Sequence, residues 1–125
     1  MFTFPKIERL CGDYRLNSLF LQGEAFIAYP LRVVYFFAEK DDFPVKILIS
    51  VSKKRFKRAV KRNLLKRRMR EAYRLNKNIL HESLKGKNLT LFVGFMYVGN
   101  EISEYAAIDK KMQEALEKLA EKLNS

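Results

Sequence analysis

From Ser52 to Lys85 the chain contains neither proline nor glycine, and a stretch of that length without a breaker has few alternatives to a long helix. The reading is a helix from about Phe56 to Leu80, with Ser52 able to cap its start. On a wheel of 100° per residue two faces separate. Leu65, Met69, Ala72, Tyr73 and Asn76 fall on one side, predicted to pack on a sheet. Asn63, Lys66, Arg67, Arg70 and Arg74 fall within an arc of about 100° on the other, so their tips form a continuous stripe facing solvent.

The charge of the molecule is concentrated in the same place. Lys53, Lys54, Arg55, Lys57, Arg58, Lys61, Arg62, Lys66, Arg67, Arg68 and Arg70 are eleven bases in eighteen positions with no acid among them. The other 107 residues hold 14 bases and 14 acids, so the whole net charge of +11 belongs to this segment. A solvated helix face normally interleaves both signs; one sign alone repels itself by a few tenths of a kcal/mol per i,i+4 pair and calls for an anionic partner. Nucleic-acid phosphates fit, because each phosphate neutralised by Lys or Arg adds about 0.7 to 0.9 to the salt dependence of binding, and arginine adds forked contacts. A membrane surface is also anionic. An interfacial helix, however, needs an exposed bulky apolar face, and here that face is required for the core.

The remaining segments supply that core. Asp13 to Leu21 reads as a short amphipathic helix with Leu16, Leu19 and Phe20 on one face, ended by Gly23. Ala25 to Ala38 is rich in aromatic and β-branched residues and is split by Pro30 into two strands, with Lys40-Asp41-Asp42 as the following turn. Val45, Ile47, Ile49 and Val51 share one side of a third strand, and these three strands are expected to be neighbours. Leu89 to Val98 is a fourth strand. From Ser103 a last helix places Tyr105, Ile108, Met112, Ala115, Leu116, Leu119 and Leu123 at three- and four-residue spacing. With 125 residues, 48% of them hydrophobic, and no internal repeat or linker, the expectation is one α+β domain over residues 1–125. Cys11 is the single cysteine, the start MFTFPKIERL lacks the pattern of a secretory signal, and the longest apolar run, Val33 to Ala38, is the length of a strand. The chain reads as cytoplasmic.

Within the basic segment, Ser50-Val51-Ser52-Lys53-Lys54, then Arg58-Ala59-Val60-Lys61-Arg62-Asn63, then Lys66-Arg67-Arg68-Met69-Arg70-Glu71 resemble the signature of the bacterial ribonuclease P protein family. Weaker agreement extends through Arg9-Leu10, Leu19-Phe20 with Gly23, Val33-Val34-Tyr35 and the strand before the last helix, covering roughly residues 6–120. Three positions depart from the family pattern. Leu64 stands where an arginine usually follows the Arg-Asn pair, with Arg68 as a candidate to compensate; Leu16 replaces an aromatic; and Leu89 to Val98 lacks a terminal arginine.

The resemblance implies a two-layer sandwich of a four-stranded sheet with about three helices and a left-handed βαβ crossover, as in the second domain of ribosomal protein S5, although general rules disfavour that hand. It implies a non-catalytic protein subunit of an endoribonuclease: the RNA subunit of ribonuclease P hydrolyses the phosphodiester with Mg²⁺ bound chiefly by that RNA. The protein holds that RNA and the 5′ leader of precursor tRNA, the leader in a cleft between sheet and first helix. Lys53, Lys54, Arg58, Lys61, Arg62, Asn63, Lys66, Arg67, Arg68, Arg70 and Arg74 are the expected RNA-binding residues. Phe20 and Tyr35 are candidate leader-binding rings, with core packing as the rival reading of each. The residues themselves offer no nucleophile constellation and no HExxH, CxxC or glycine-rich phosphate loop. His81 reads as a surface residue, and Asp41 and Asp42 as turn formers rather than metal ligands. The competing functions are a structural RNA-binding module such as a ribosomal protein, and a stand-alone metal-dependent nuclease.

Overall fold

The computed structural model describes residues 19, 21–39 and 44–123. Its elements in chain order are β1 (Glu24–Ala28), β2 (Leu31–Glu39), β3 (Val45–Val51), α1 (Ala59–Asn76), α2 (Asn78–Leu84), β4 (Leu89–Tyr97) and α3 (Tyr105–Leu123). Most of the short first helix, including Leu16 and Phe20, lies outside the described residues, as do Cys11 and the turn Lys40-Asp41-Asp42. Leu19, Leu21 and Gln22 are helical, and the Gly23 N–H donates to the Leu19 carbonyl at 3.1 Å. Glycine is required there: a Cβ at position 23 would stand 2.2 Å from the Leu19 carbonyl oxygen.

Among the described residues the strands form one sheet in the order β1-β2-β4-β3. Pro30 does divide the first two strands, which pair antiparallel across the turn Tyr29-Pro30. The expected adjacency of the first three strands is corrected, because β4 lies between β2 and β3, antiparallel to the former and parallel to the latter. The cause is visible in β4 itself. It is buried at seven of its nine positions, and a strand apolar on both faces is satisfied only at the centre of a sheet covered on both sides. The parallel pairing makes α1 and α2 the crossover from β3 to β4.

Strand alternation sorts the side chains into two layers. Leu31, Val33, Tyr35, Ile47, Val93 and Phe95 turn to one face, where they meet Leu65, Met69 and Tyr73 of α1 and the buried stripe of α3. That α3 stripe is Ile108, Met112, Ala115, Leu116, Leu119 and Leu123, as its spacing predicts. Val34 and Phe92 turn to the opposite face, where Leu19 covers them and Phe36, Leu48 and Met96 flank the cluster. The buried face of α1 is as read from the wheel, but it packs chiefly on α3 and only secondarily on β3. Tyr73 reaches the sheet, its ring 6.0 Å from that of Phe95.

The ends of the long helix differ from the sequence reading. Ser52 caps a turn and not the helix: its hydroxyl accepts from the Lys54 N–H at 3.1 Å, its carbonyl accepts from the Phe56 N–H at 3.1 Å, and α1 starts only at Ala59. The helix stops at Asn76, whose side-chain amide donates to its own i−4 carbonyl, Ala72 O, at 2.8 Å and to Asp109 of α3 at 2.7 Å. Asparagine thereby competes for a helical acceptor. After Lys77 the chain resumes as the short helix α2, which carries His81 half-buried within it.

Candidate nucleic-acid interface

The connection from β3 to α1 carries the densest charge, and it is held from beneath. Phe56 is buried edge-on against Tyr97, ring centroids 5.8 Å apart. The Arg62 guanidinium donates from Nη1 to the carbonyls of Phe56 at 2.7 Å and Lys57 at 2.8 Å. Two anchors therefore fix the loop while Lys53, Lys54, Arg55, Lys57 and Arg58 remain exposed. At its end, α1 begins with no acid in its first turn and no side-chain cap from Arg58. Uncapped N–H groups and the positive end of the helix dipole thus add to the charge of the loop.

Along α1 the stripe is only partly as the wheel suggests. Asn63, Arg67 and Arg70 are exposed, Lys61 is exposed beside them, and Lys66 is half-buried. Arg74 is half-buried and paired with Glu71, its Nε 3.1 Å from Oε2, so the stripe loses most of its charge at that end. Arg62 is turned inward to the loop carbonyls. Arg68 donates to the Ser103 carbonyl at 2.6 Å, which joins α1 to the start of α3 and leaves it unsuited to replace an arginine at position 64. Leu64 is half-buried, and Val60, 79% exposed, is an apolar step within the basic surface.

Tyr35 is on the wrong side of the sheet for a single strand passing over the Leu19 face. It is 4% exposed in the core beneath α3, its ring 5.9 Å from Phe26 and 5.6 Å from Phe37. Its hydroxyl donates to the Glu24 carboxylate at 2.8 Å, and the Lys122 ammonium lies 5.6 Å from the ring centre. Burial, and then the Glu24 hydrogen bond, raise the phenol above its ordinary value. The packing reading therefore describes Tyr35, and the expectation of a leader-facing ring is corrected, because in a strand one step of sequence exchanges the two faces. Phe36, the next residue, points to the Leu19 face with its ring 6.3 Å from Phe92. Phe20 lies outside the described residues.

One cation on this part of the molecule, Arg32, lies outside the dense basic segment, and Arg55, within that segment, makes a contact that its charge does not reveal. Arg32 is exposed on the Leu19 face of β2, directly across from Met96, which in turn is opposite Ser50. The alternation of Leu31, Val33 and Tyr35 with Arg32, Val34 and Phe36 is the signal that could have found it. Arg55 reaches the β4–α3 loop and donates to Asn100 Oδ1 at 2.7 Å. No comparable sequence signal exists for a contact so distant along the chain. Among the described residues no group of three or more His, Cys, Asp or Glu could hold a metal ion, and no helix is long and apolar enough to cross a membrane.

The fold and the site together define an α+β sandwich whose β3–β4 crossover helix starts in an exposed cationic loop, and the comparisons narrow that class. The family model described as Ribonuclease P matches residues 4–123. The ribonuclease P protein component of Porphyromonas gingivalis strain W83 is 42% identical over 120 residues, covering 95% of this chain and 88% of that protein. The solved RNase P protein of Staphylococcus aureus superposes with a TM-score of 0.67 at 20% identity, covering 90% of this chain and 94% of that one. The RNase P protein of Thermotoga maritima gives 0.67 at 22% identity, covering 89% and 96%. The chain belongs to the ribonuclease P protein family, and with that family to RNA-binding proteins of tRNA processing.

Proposed function

We propose that the chain is the non-catalytic protein subunit of ribonuclease P, binding the catalytic RNA through the loop 53–58 and the exposed side of α1, and the 5′ leader of precursor tRNA across the Leu19 face of the sheet. The observation that carries this is the anchored basic loop: Phe56 and Arg62 hold it while five cations stay in solvent. Pre-fixing the loop lowers the ordering cost of binding, so more of the phosphate attraction appears as affinity. Lys53, Lys54, Arg58, Lys61, Asn63, Lys66, Arg67 and Arg70 make the contacts to the RNA. Arg62, Arg68 and Arg74 act by position, through the carbonyls of the loop, Ser103 and the carboxylate of Glu71 respectively.

For the leader, the ring on β2 is Phe36, with Arg32 opposite Met96 supplying a cation in the region where the family's terminal β4 arginine is missing. Phe20 remains a candidate for the same path. Stacking of unpaired bases on such rings is tolerant of sequence, as a leader of variable sequence requires. The chemistry is hydrolysis of a phosphodiester by the RNA. Mg²⁺ is bound chiefly by the RNA subunit, whose phosphates are the hard oxygen ligands that it prefers. The setting is the cytoplasm.

Reconstitution tests the proposal. The protein added to a bacterial ribonuclease P RNA at low Mg²⁺ should restore cleavage of precursor tRNA at the mature 5′ end, and absence of stimulation would refute it. Cleavage by the protein without RNA would point instead to a nuclease in its own right.

A further inference from the structure

Three connections meet at one end of the sheet. Val51, Tyr97, Leu31 and Ala28 are in register across β3, β4, β2 and β1, so the turn Tyr29-Pro30, the basic loop 52–58 and the β4–α3 loop 98–104 leave the sheet side by side. Between the turn and the β4–α3 loop lies a cleft of about 320 Å³, lined by Tyr29, Pro30, Tyr97, Gly99, Asn100 and Glu101 among others. Its walls are tied together. The Val98 N–H donates to the Pro30 carbonyl at 2.8 Å, and the Tyr97 hydroxyl donates to the Glu101 carbonyl at 2.6 Å and accepts from the Ser103 N–H at 2.9 Å. Gly99 keeps the two walls close, since a Cβ there would come within 3.0 Å of Pro30 and 3.2 Å of the Tyr97 ring.

We propose that this cleft receives one unstacked nucleobase of the ribonuclease P RNA, stacked on the Tyr29 ring, with Arg55, Lys53 and Lys54 on the flanking phosphates. The proposal rests on the RNA-binding reading above and deepens it. Tyr29 is 60% exposed and takes no part in either core cluster, so its ring is available at the cleft. The volume stands at the low end of the roughly 300 to 1,000 Å³ of small-molecule sites, a size for a single base. Arg55 bonds Asn100 at the rim, so the basic loop and the cleft form one continuous surface. Asn100 and Glu101 offer polar groups to the base edge, and the Glu101 carboxylate, acceptor-only when ionised, favours an edge that carries N–H donors. The RNA subunit is the source, because the cleft adjoins the basic loop at the end of the sheet, whereas the leader path runs over the face.

The chain has no tryptophan, so Tyr29→Trp places a single indole at the cleft. Titrating that variant with ribonuclease P RNA alone should quench its fluorescence at an affinity near that of the unaltered chain. Tyr29→Ala should lower affinity by roughly 5- to 150-fold, the worth of one stacked base, at an unchanged salt slope and an unchanged thermal midpoint. Tyr29→Phe should retain affinity. An indole that stays bright while the RNA binds, or Tyr29→Ala binding as tightly as the unaltered chain, would overturn the cleft assignment and leave the RNA-binding reading intact. Quenching that appears only with precursor tRNA would overturn the choice of the RNA subunit. Failure of the unaltered chain to bind the RNA at all would instead remove the reading on which the proposal rests.

Discussion

Residues of the same type carry different duties along α1, and their partners separate them. Arg67 is exposed on the stripe, whereas Arg74 is held by Glu71. Arg67→Ala should therefore weaken binding to the RNA and reduce the magnitude of the salt slope by about 0.7 to 0.9. Arg74→Ala should change the slope far less, both read by titration across a range of salt concentrations. Tyr35 gives a second residue-scale test. As a core ring, its replacement by alanine should cost about 3–5 kcal/mol of stability, by analogy with buried phenylalanine, measurable by denaturant unfolding. Its phenol is raised above 10 in the folded chain, so the folded state holds that proton more tightly than the unfolded state does. The resulting stabilisation is present below pH 10 and is lost as pH rises above it. Tyr35→Phe should accordingly make unfolding less sensitive to pH in the alkaline range, while Tyr105, also raised by burial and by the charges of Asp109 and Glu71, continues to contribute.

At the scale of elements, the loop from β3 to α1 depends on a residue that does not need to touch RNA. Removing the Arg62 guanidinium leaves the Phe56 and Lys57 carbonyls without their donor. Arg62→Ala should loosen the loop, seen as faster amide exchange at residues 53–58, and lower RNA affinity. Arg62→Lys should recover only part of both, since an ammonium on a flexible stem is less pre-organised to hold both carbonyls than the guanidinium Nη1 that bonds them. The wheel already hints at this role, because Arg62 falls between Met69 and Tyr73 on the buried side of α1. The helix limits carry no such hint. Ser52 is a sound N-cap by type and Asn76 is an ordinary helix residue, yet a turn claims the first and Asp109 the second.

Across the whole molecule, the seating of the Leu19 segment on one face of the sheet depends on close approach at glycine. Gly23 admits the Leu19 carbonyl and the Tyr35 carbonyl, which a Cβ would meet at 2.2 and 2.8 Å, both backbone atoms. At Gly94 the nearest obstacle is the Leu19 side chain at 3.3 Å, which can yield. Gly23→Ala should therefore lower the thermal midpoint more than Gly94→Ala, and a larger effect at position 94 would contradict this account of how the Leu19 segment seats on the sheet.

Local chemistry in the sequence determined the basic segment, the two faces of α1, the division of β1 from β2 at Pro30 and the buried stripe of α3, because charge density and periodicity need only near neighbours. The family signature is likewise local, lying almost wholly between Ser50 and Glu71. Tertiary structure alone decided that β4 enters between β2 and β3, that Tyr35 belongs to the core and Phe36 to the open face, and which arginines are occupied. Those outcomes depend on partners far along the chain: Arg68 meets Ser103 35 residues away, and Arg55 meets Asn100 45 residues away. A long side chain's nearest acceptor is set by the packing of elements, which periodicity does not encode.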